Sequence, residues 1–177
     1  GRRSDWHALT VLMDDKLVTL NAAVGLLRRR NLPIRNVTVG PAMADGTTRL
    51  FAMIETDGGT AQRIAELFKK VIGVQDARVA PADEAVLREA VLVRLGPAGG
   101  DAYAELLDVL GLYHASVVEE SADGLVAEVS GPASFVLSCV RALERFGLLD
   151  VARSGTLAVE RPVAGPAVIQ PSEMPVS

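Results

Sequence analysis

Few of the 177 residues belong to the types that carry out enzyme chemistry. The chain has two histidines, His7 and His114, and a single cysteine, Cys139. His7 precedes the first predicted strand and is expected to be an exposed end residue, and His114 has no neighbours of metal-ligand type. One cysteine excludes an internal disulfide bond and any metal site built from several cysteines. We therefore expect no catalytic residue and no metal site in this chain.

The short motifs that mark nucleotide, metal and nucleophile sites are also absent from the sequence. HExxH, GxSxG, GxGxxG and GxxxxGK[ST] do not occur. Cys139 falls on the apolar face of a predicted helix, where inert core packing is expected. An enzyme on a ferredoxin-like scaffold would need a cluster of ionisable residues in a pocket, and no such cluster is visible. Enzyme activity is therefore the minority interpretation.

Composition limits the classes of partner. Lys and Arg total 18 against 22 Asp and Glu, which gives a net charge of −4. Nucleic acids and anionic membrane surfaces both require a basic protein surface, so neither is expected as a partner. No apolar run approaches the roughly 20 residues of a membrane-spanning helix, and no signal-peptide pattern stands at the start. The single cysteine fits a reducing compartment, and we expect the cytoplasm.

Hydrophobic periodicity in the first half predicts the order β-α-β-β-α-β. Arg28-Arg29-Arg30 suits a helix C-terminus, Asn31 suits the left-handed position that follows, and Pro33 stops the helix. Ala44-Asp45-Gly46 predicts a hairpin turn, and Gly73 closes the second helix. The predicted strands are 8–13, 34–39, 49–56 and 74–79.

The same order recurs after a short linker at residues 81–84. Asp101 is expected to cap the third helix, with Gly111 after its end, and Pro132 suits the first turn of the fourth. Residues 156–160 either extend the last strand or add another. The predicted strands are 90–95, 115–119, 125–130 and 148–152.

Two tandem ferredoxin-like units are the simplest fold that matches this repeated order. The segments 73–78 and 147–153 also resemble each other locally and fall at the same topological point. We predict α+β domains at residues 7–80 and 85–161, followed by a disordered tail at 162–177 that is rich in Pro, Ala, Gly and Ser. Each unit should carry two helices on one sheet face and leave the other face open.

An open edge in the first sheet would favour side-by-side dimerisation, with the loop after the first strand at the junction. The amides around 17–19, at the start of the first helix, offer a route to binding an amino-acid carboxylate.

The start of the chain contains Leu9-Thr10-Val11-Leu12, followed by Val24-Gly25-Leu26-Leu27 and the three arginines. This pattern resembles the opening of the small, regulatory subunit of acetolactate (acetohydroxyacid) synthase. Residues 34–41 and 149–155 are similar to two further stretches of it, and the resemblance covers residues 8–161 in one register.

The resemblance implies that the first unit is an ACT domain and that the chain is a non-catalytic subunit. ACT domains of this family form dimers and bind branched-chain amino acids, typically valine, at the junction. The second unit and parts of the ACT surface contact a catalytic (large) subunit that carries thiamine diphosphate, Mg and FAD. The family positions for the effector are Asp15, Leu17, Val18, Thr19, Leu20, Pro33 and Ile34.

Three of these positions depart from the family pattern. An asparagine, a glycine and a second asparagine are usual where this chain has Asp15, Val18 and Pro33. Asp15 adds a negative charge where a carboxylate would approach, Val18 adds a side chain, and Pro33 cannot donate a side-chain hydrogen bond. We therefore expect weak or lost valine binding. A stand-alone amino-acid-sensing ACT protein is the alternative function, and the altered loop counts against it.

Candidate contacts with the catalytic subunit follow from the same resemblance. The family uses the turn after the third strand, which here includes Glu55, Thr56 and Asp57. Arg153 begins the stretch Arg153-Ser154-Gly155, which is either a contact motif or a strand end with a glycine-assisted turn.

Overall fold

Eight strands and four α-helices make up the residues that the computed structural model describes, which are 5–162. They form two four-stranded antiparallel sheets, and each sheet is built from one β-α-β-β-α-β segment. The predicted tandem arrangement is confirmed. The predicted tail lies outside the described residues, apart from Pro162. No helix among residues 5–162 has the length and apolar character needed to cross a bilayer.

The first unit has strand order β2-β3-β1-β4. Both of its helices pack on one face of the sheet, and α2 lies over β4 and β1. Its elements are β1 (Trp6–Asp14), α1 (Leu17–Arg29), β2 (Ile34–Pro41), β3 (Thr47–Glu55), α2 (Gly58–Phe68) and β4 (Val74–Pro81).

The second unit has the equivalent strand order, β6-β7-β5-β8. Short 3-10 turns at Ala82–Glu84 and Glu144–Phe146 precede β5 and β8. Its elements are β5 (Ala85–Leu95), α3 (Gly100–Leu112), β6 (Ser116–Ser121), β7 (Gly124–Gly131), α4 (Ala133–Leu143) and β8 (Leu148–Glu160).

Each unit has its own core between its sheet and its helices, and both cores are aliphatic apart from a few aromatic rings. Leu9, Leu50 and Ile54 meet Phe68 of α2 in the first core. Val91, Leu95 and Leu106 pack with Leu143 in the second, and Cys139 is fully buried among them.

Turn chemistry predicted from sequence is confirmed at the helix ends that need a left-handed residue. Asn31 has φ 48° after α1, and Gly147 has φ 77° before β8. The predicted ends of α3 are wrong: Gly99 rather than Asp101 precedes the helix, and the helix continues through Leu112. Asp101 already lies inside the first turn, where its charge still favours the positive helix end.

The open face expected for the first sheet is covered by the second unit. β5 begins at Ala85 rather than at residue 90, and β8 continues to Glu160, so the two strands extend beyond their own sheet. We call the paired extensions, Ala85–Glu89 and Thr156–Glu160, the ribbon. The ribbon packs on the helix-free face of the first sheet, where Ala85 and Ala158 join a cluster with Ala8, Phe51 and Met53.

A β-bulge separates the ribbon from the rest of β5 and β8. Two residues, Ser154 and Gly155, lie opposite Ala90, and the Ala90 N–H donates to Ser154 Oγ at 2.9 Å. Gly155 has φ 74°, a conformation that residues with a side chain rarely adopt. Because bulges bend and twist the strand that carries them, this position marks where the strands leave their own sheet for the other unit.

Gly155 also lies against β2 of the first unit. A Cβ atom on residue 155 would overlap Thr38 Cγ2, and the Thr38 hydroxyl donates to the Thr156 carbonyl at 3.2 Å. The glycine therefore serves two needs at once, the left-handed backbone and the close approach of β8 to β2.

Gly155→Ala should lower the free energy of unfolding by about 2–4 kcal/mol, because strain and overlap add. Gly147→Ala is the matched control, since Gly147 has a similar φ and no atom near its missing Cβ. It should cost about 1–2 kcal/mol. Urea unfolding followed by circular dichroism measures both.

Thr38→Ser keeps the hydroxyl and removes the methyl group that the new Cβ would meet. In a Thr38→Ser background the cost of Gly155→Ala should fall toward that of Gly147→Ala. Equal costs in both backgrounds would contradict the proposed contact.

Candidate functional site

Three loops meet at one end of the first sheet, around the predicted effector loop between β1 and α1. The Asp14 N–H donates to the Gly73 carbonyl at 2.8 Å, and the Asp15 N–H donates to the Gly46 carbonyl at 3.0 Å. Gly73 has φ 92°, and a Cβ there would overlap Thr19 and Asp14 side-chain oxygens. The loop is thus held by backbone hydrogen bonds to its two neighbouring loops.

A carboxylate of the chain itself occupies the start of α1. Asp14 Oδ1 accepts from the Lys16 N–H at 3.3 Å, and Lys16 Nζ lies 3.8 Å from Asp14 Oδ2. The Thr19 N–H already donates to the Lys16 carbonyl at 3.1 Å. A ligand carboxylate approaching this helix end would therefore meet Asp14 as well as the exposed Asp15.

The other predicted effector residues of the loop differ in burial. Leu17 is 80% exposed and Val18 is 72% exposed, while Thr19 is buried and Leu20 packs partly against the core. The two exposed apolar side chains stand where amides were expected to receive a ligand.

Pro33 and Ile34 lie at the opposite end of the same sheet. The Glu55 N–H donates to the Pro33 carbonyl at 3.0 Å, and Glu55 pairs with Trp6 at the start of β1. Asp14 ends that strand, and its nine residues span roughly 30 Å. One chain therefore does not bring Pro33 and Ile34 to the effector loop.

Two further exposed apolar residues lie beside the effector loop, and the sequence analysis missed them. Met43, in the β2–β3 turn, is 99% exposed, and Ile72, in the α2–β4 loop, is 94% exposed. We call Leu17, Val18, Met43 and Ile72 the apolar tip. The sequence signal for both residues is a large apolar side chain in a loop shortly before a glycine, Gly46 or Gly73.

The candidate contact residues after β3 have structural partners. Asp57 caps α2, accepting from the Thr60 N–H at 2.9 Å and from the Thr60 hydroxyl at 2.6 Å. These hydrogen bonds, the side-chain one first, hold the pKa of Asp57 below its ordinary value. The Thr56 N–H donates to the Asp5 carbonyl at 2.8 Å, and Glu55 is exposed. These residues share the end of the sheet that carries Pro33.

Arg153 forms a bidentate ion pair with Glu89 next to the bulge. Arg153 Nε and Nη2 donate to the two Glu89 carboxylate oxygens at 2.6 and 2.9 Å. Glu89 is only 4% exposed, and its hydrogen bond raises the pKa of Arg153. Arg153 therefore neutralises a buried carboxylate at the base of the ribbon, whatever contact it makes with a partner.

The residues that could carry chemistry are dispersed. No three His, Cys, Asp or Glu side chains within residues 5–162 are grouped as a metal site would require. His7 is buried rather than exposed, because β1 begins at Trp6, and its Nδ1 lies 3.1 Å from the Asp5 carbonyl. Burial raises the pKa of the Cys139 thiol, which disfavours the reactive thiolate.

The second unit matches a known protein family. The family model for the small subunit of acetolactate synthase matches residues 88–162. Related proteins extend the likeness across the first unit as well. A probable acetolactate synthase small subunit of Methanothermobacter thermautotrophicus is 27% identical over 157 residues, which are 89% of this chain and 94% of the relative. The chain is similar to acetolactate synthase small subunits over most of its length.

Other comparisons agree with this relationship. The acetolactate synthase small subunit of Mycolicibacterium smegmatis is 26% identical over 88% of this chain and 91% of its own length. The crystal structure of the Thermotoga maritima acetolactate synthase small subunit has a TM-score of 0.76, with 23% identity over 90% of this chain and 99% of that one. That match confirms the fold class of two tandem ferredoxin-like units.

Arg153→Ala should lower the free energy of unfolding by about 1–3 kcal/mol, because it leaves the buried Glu89 carboxylate without its partner. Arg145→Ala is the control, since Arg145 pairs with Glu105 at 3.1 Å on the surface. It should cost less than about 1 kcal/mol. Urea unfolding compares the two variants, and equal losses would contradict the role assigned to Arg153.

Proposed function

We propose that this chain is a non-catalytic regulatory subunit that binds and activates the catalytic subunit of an acetolactate synthase, with weak or lost valine feedback. The observation that carries the proposal is the likeness to acetolactate synthase small subunits across both units. The dispersed ionisable side chains of the described residues agree with a role exerted through surfaces. Thiamine diphosphate, Mg and FAD belong to the catalytic subunit in this proposal, and the assembly works in the cytoplasm.

A homodimer through the β2 edge is part of the proposal. β2 pairs only with β3, and Val37 and Val39 on it are about half exposed. An antiparallel β2–β2 pairing about a two-fold axis places each end of one sheet beside the opposite end of the other sheet. The effector loop of one copy then faces the Pro33 end of the other, which would join the two separated groups of effector positions.

Valine is expected to bind poorly at this junction for electrostatic and steric reasons. Asp14 already accepts from the Lys16 N–H at the start of α1, and Asp15 adds a second negative charge beside it. Val18 fills space next to the helix end. The apolar tip is a candidate contact surface for the catalytic subunit. The other candidate contacts are Glu55, Thr56, Asp57 and Arg153.

The purified chain should raise acetolactate formation by the catalytic subunit from the same organism several-fold, and valine should leave the raised rate unchanged. Bovine serum albumin at equal concentration controls for non-specific stabilisation of the enzyme. No rise with that catalytic subunit would contradict the proposed function and favour an amino-acid-sensing protein. A rise that valine reverses would contradict the loss of feedback alone.

Family-like residues at the three altered positions should restore valine binding. The triple variant Asp15→Asn, Val18→Gly, Pro33→Asn alters three exposed positions. It removes a charge at residue 15, removes a side chain at residue 18 and adds a side-chain hydrogen-bond donor at residue 33. Calorimetric titration with valine should show a saturable isotherm that is at least tenfold tighter than that of the unaltered chain. Arg29→Gln, an exposed change elsewhere on α1, is the control. Micromolar valine binding by the unaltered chain would refute the expectation.

Ile72→Ser should reduce activation of the catalytic subunit without lowering the melting temperature, because Ile72 is almost fully exposed and loses no core contact. Leu112→Ser changes a similarly exposed leucine at the end of α3 and should leave activation intact. Equal activation by both variants would remove the apolar tip from the contact surface.

A further inference from the structure

A cleft of about 320 Å³ opens between the first sheet and the ribbon. Its floor is the helix-free face of β1 and β4, with Thr10 and Leu12 on β1, and its roof is formed by Ala85 and Ala158 of the ribbon. The cleft lies within one chain and contains none of the predicted effector positions. It therefore requires no second copy of the chain.

Small side chains keep this space open. On the β3 side of the sheet, Phe51 and Met53 fill the gap beneath the ribbon and are buried. On the β1 and β4 side, the paired residues Ala8 and Ala80 line the same gap with methyl groups only. The ribbon thus rests mainly on the large side chains of β3 and contacts β1 at Ala8, which leaves space over the neighbouring part of β1 and β4.

A half-buried arginine provides the charge in the cleft. Arg49 Nη2 donates to the Ala158 carbonyl of the ribbon and lies 3.5 Å from Thr10 Oγ1. Both acceptors are neutral, and none of the ion pairs within residues 5–162 includes Arg49.

The other charged side chains that line the cleft form no ion pair with Arg49. Arg78 is paired with Asp76 at 2.7 Å on the β4 wall. Glu160 lies at the exposed end of the ribbon, where water solvates its carboxylate. A half-buried guanidinium without a carboxylate partner is a poorly compensated charge, and a planar carboxylate is the group that its fork of N–H donors fits best.

We propose that the cleft binds a small aliphatic monocarboxylate. The carboxylate pairs with the Arg49 guanidinium, and the hydrocarbon part lies against the methyl groups of Ala8, Ala80 and Ala85 and against Leu12. The volume is at the lower end of the range for ligand pockets, which suits a molecule of a few carbon atoms. Such a ligand touches the first sheet and the ribbon at once, so its binding should stabilise the packing of the two units.

The test uses the unaltered full chain with 3-methylbutanoate as the probe, by calorimetry and thermal unfolding. We expect saturable one-to-one binding in the millimolar range or tighter and a rise in melting temperature that follows the occupancy. 3-Methylbutylamine has a similar shape and the opposite charge, so it should neither bind saturably nor raise the melting temperature. No saturable binding of the carboxylate up to roughly 10 mM would overturn the proposal.

Two variants locate the site independently. Arg49→Gln should weaken 3-methylbutanoate binding at least tenfold, because the charged partner is lost. Ala80→Leu fills the cleft, keeps Arg49 and lies outside the cluster that holds the ribbon, so it should also abolish binding. Arg63→Gln changes an exposed arginine on α2 and is the matched control. If Arg49→Gln does not fold, 3-methylbutanoate binding by the Ala80→Leu variant tests the location of the site.

Binding that Ala80→Leu leaves intact would overturn the proposal. The proposal would also be overturned if the triple effector-loop variant alters 3-methylbutanoate binding and the cleft variants do not. That result would place the carboxylate at the dimer junction. Titration with valine in the same variants separates a 2-amino acid held by Arg49 from one held at the effector loop. Because every measurement uses the chain alone, its outcome is independent of whether a catalytic subunit is activated.

Discussion

The packing of the ribbon on the helix-free face of the first sheet is the interaction on which the rest of the structure depends. It buries Phe51 and Met53, which a free ferredoxin-like unit would leave exposed to water. It needs the bulge at Ser154 and Gly155 to direct the strands and the Glu89–Arg153 pair to neutralise a buried charge at their base. The same packing encloses the cleft that contains Arg49.

This arrangement separates the surfaces that remain free to act. With the helix-free face covered, the first unit presents the edge of β2 and the two ends of its sheet. One end carries the apolar tip and the effector loop, and the other carries Pro33 and Glu55–Asp57. These exposed surfaces of the first unit carry the candidate contact positions that lie outside the cleft.

Local sequence signals predicted most helices and strands, because the ends and the type of each element depend on a few neighbouring residues. Asn31 and Gly147 mark helix ends by their tolerance of positive φ, and the aliphatic periodicity located all four helices. The start of β5 was missed because Leu87-Arg88-Glu89 lacks the alternation of a half-buried strand. Glu89 is buried in spite of its charge, since Arg153, 64 residues away, pairs with it.

The sequence alone determined the repeated fold and the scarcity of chemistry-bearing side chains, because each depends on residue type and local spacing. Tertiary structure decided how the two units contact each other. Only the folded chain shows that Gly155 meets Thr38, that Met43 and Ile72 lie at the same end of the sheet as Leu17, and that Arg49 donates to the ribbon. No periodicity relates these residues. Burial of apolar surface under the ribbon brings Gly155 and Arg49 to their partners, and backbone hydrogen bonds between loops bring Met43 and Ile72 to the end of the sheet that carries Leu17.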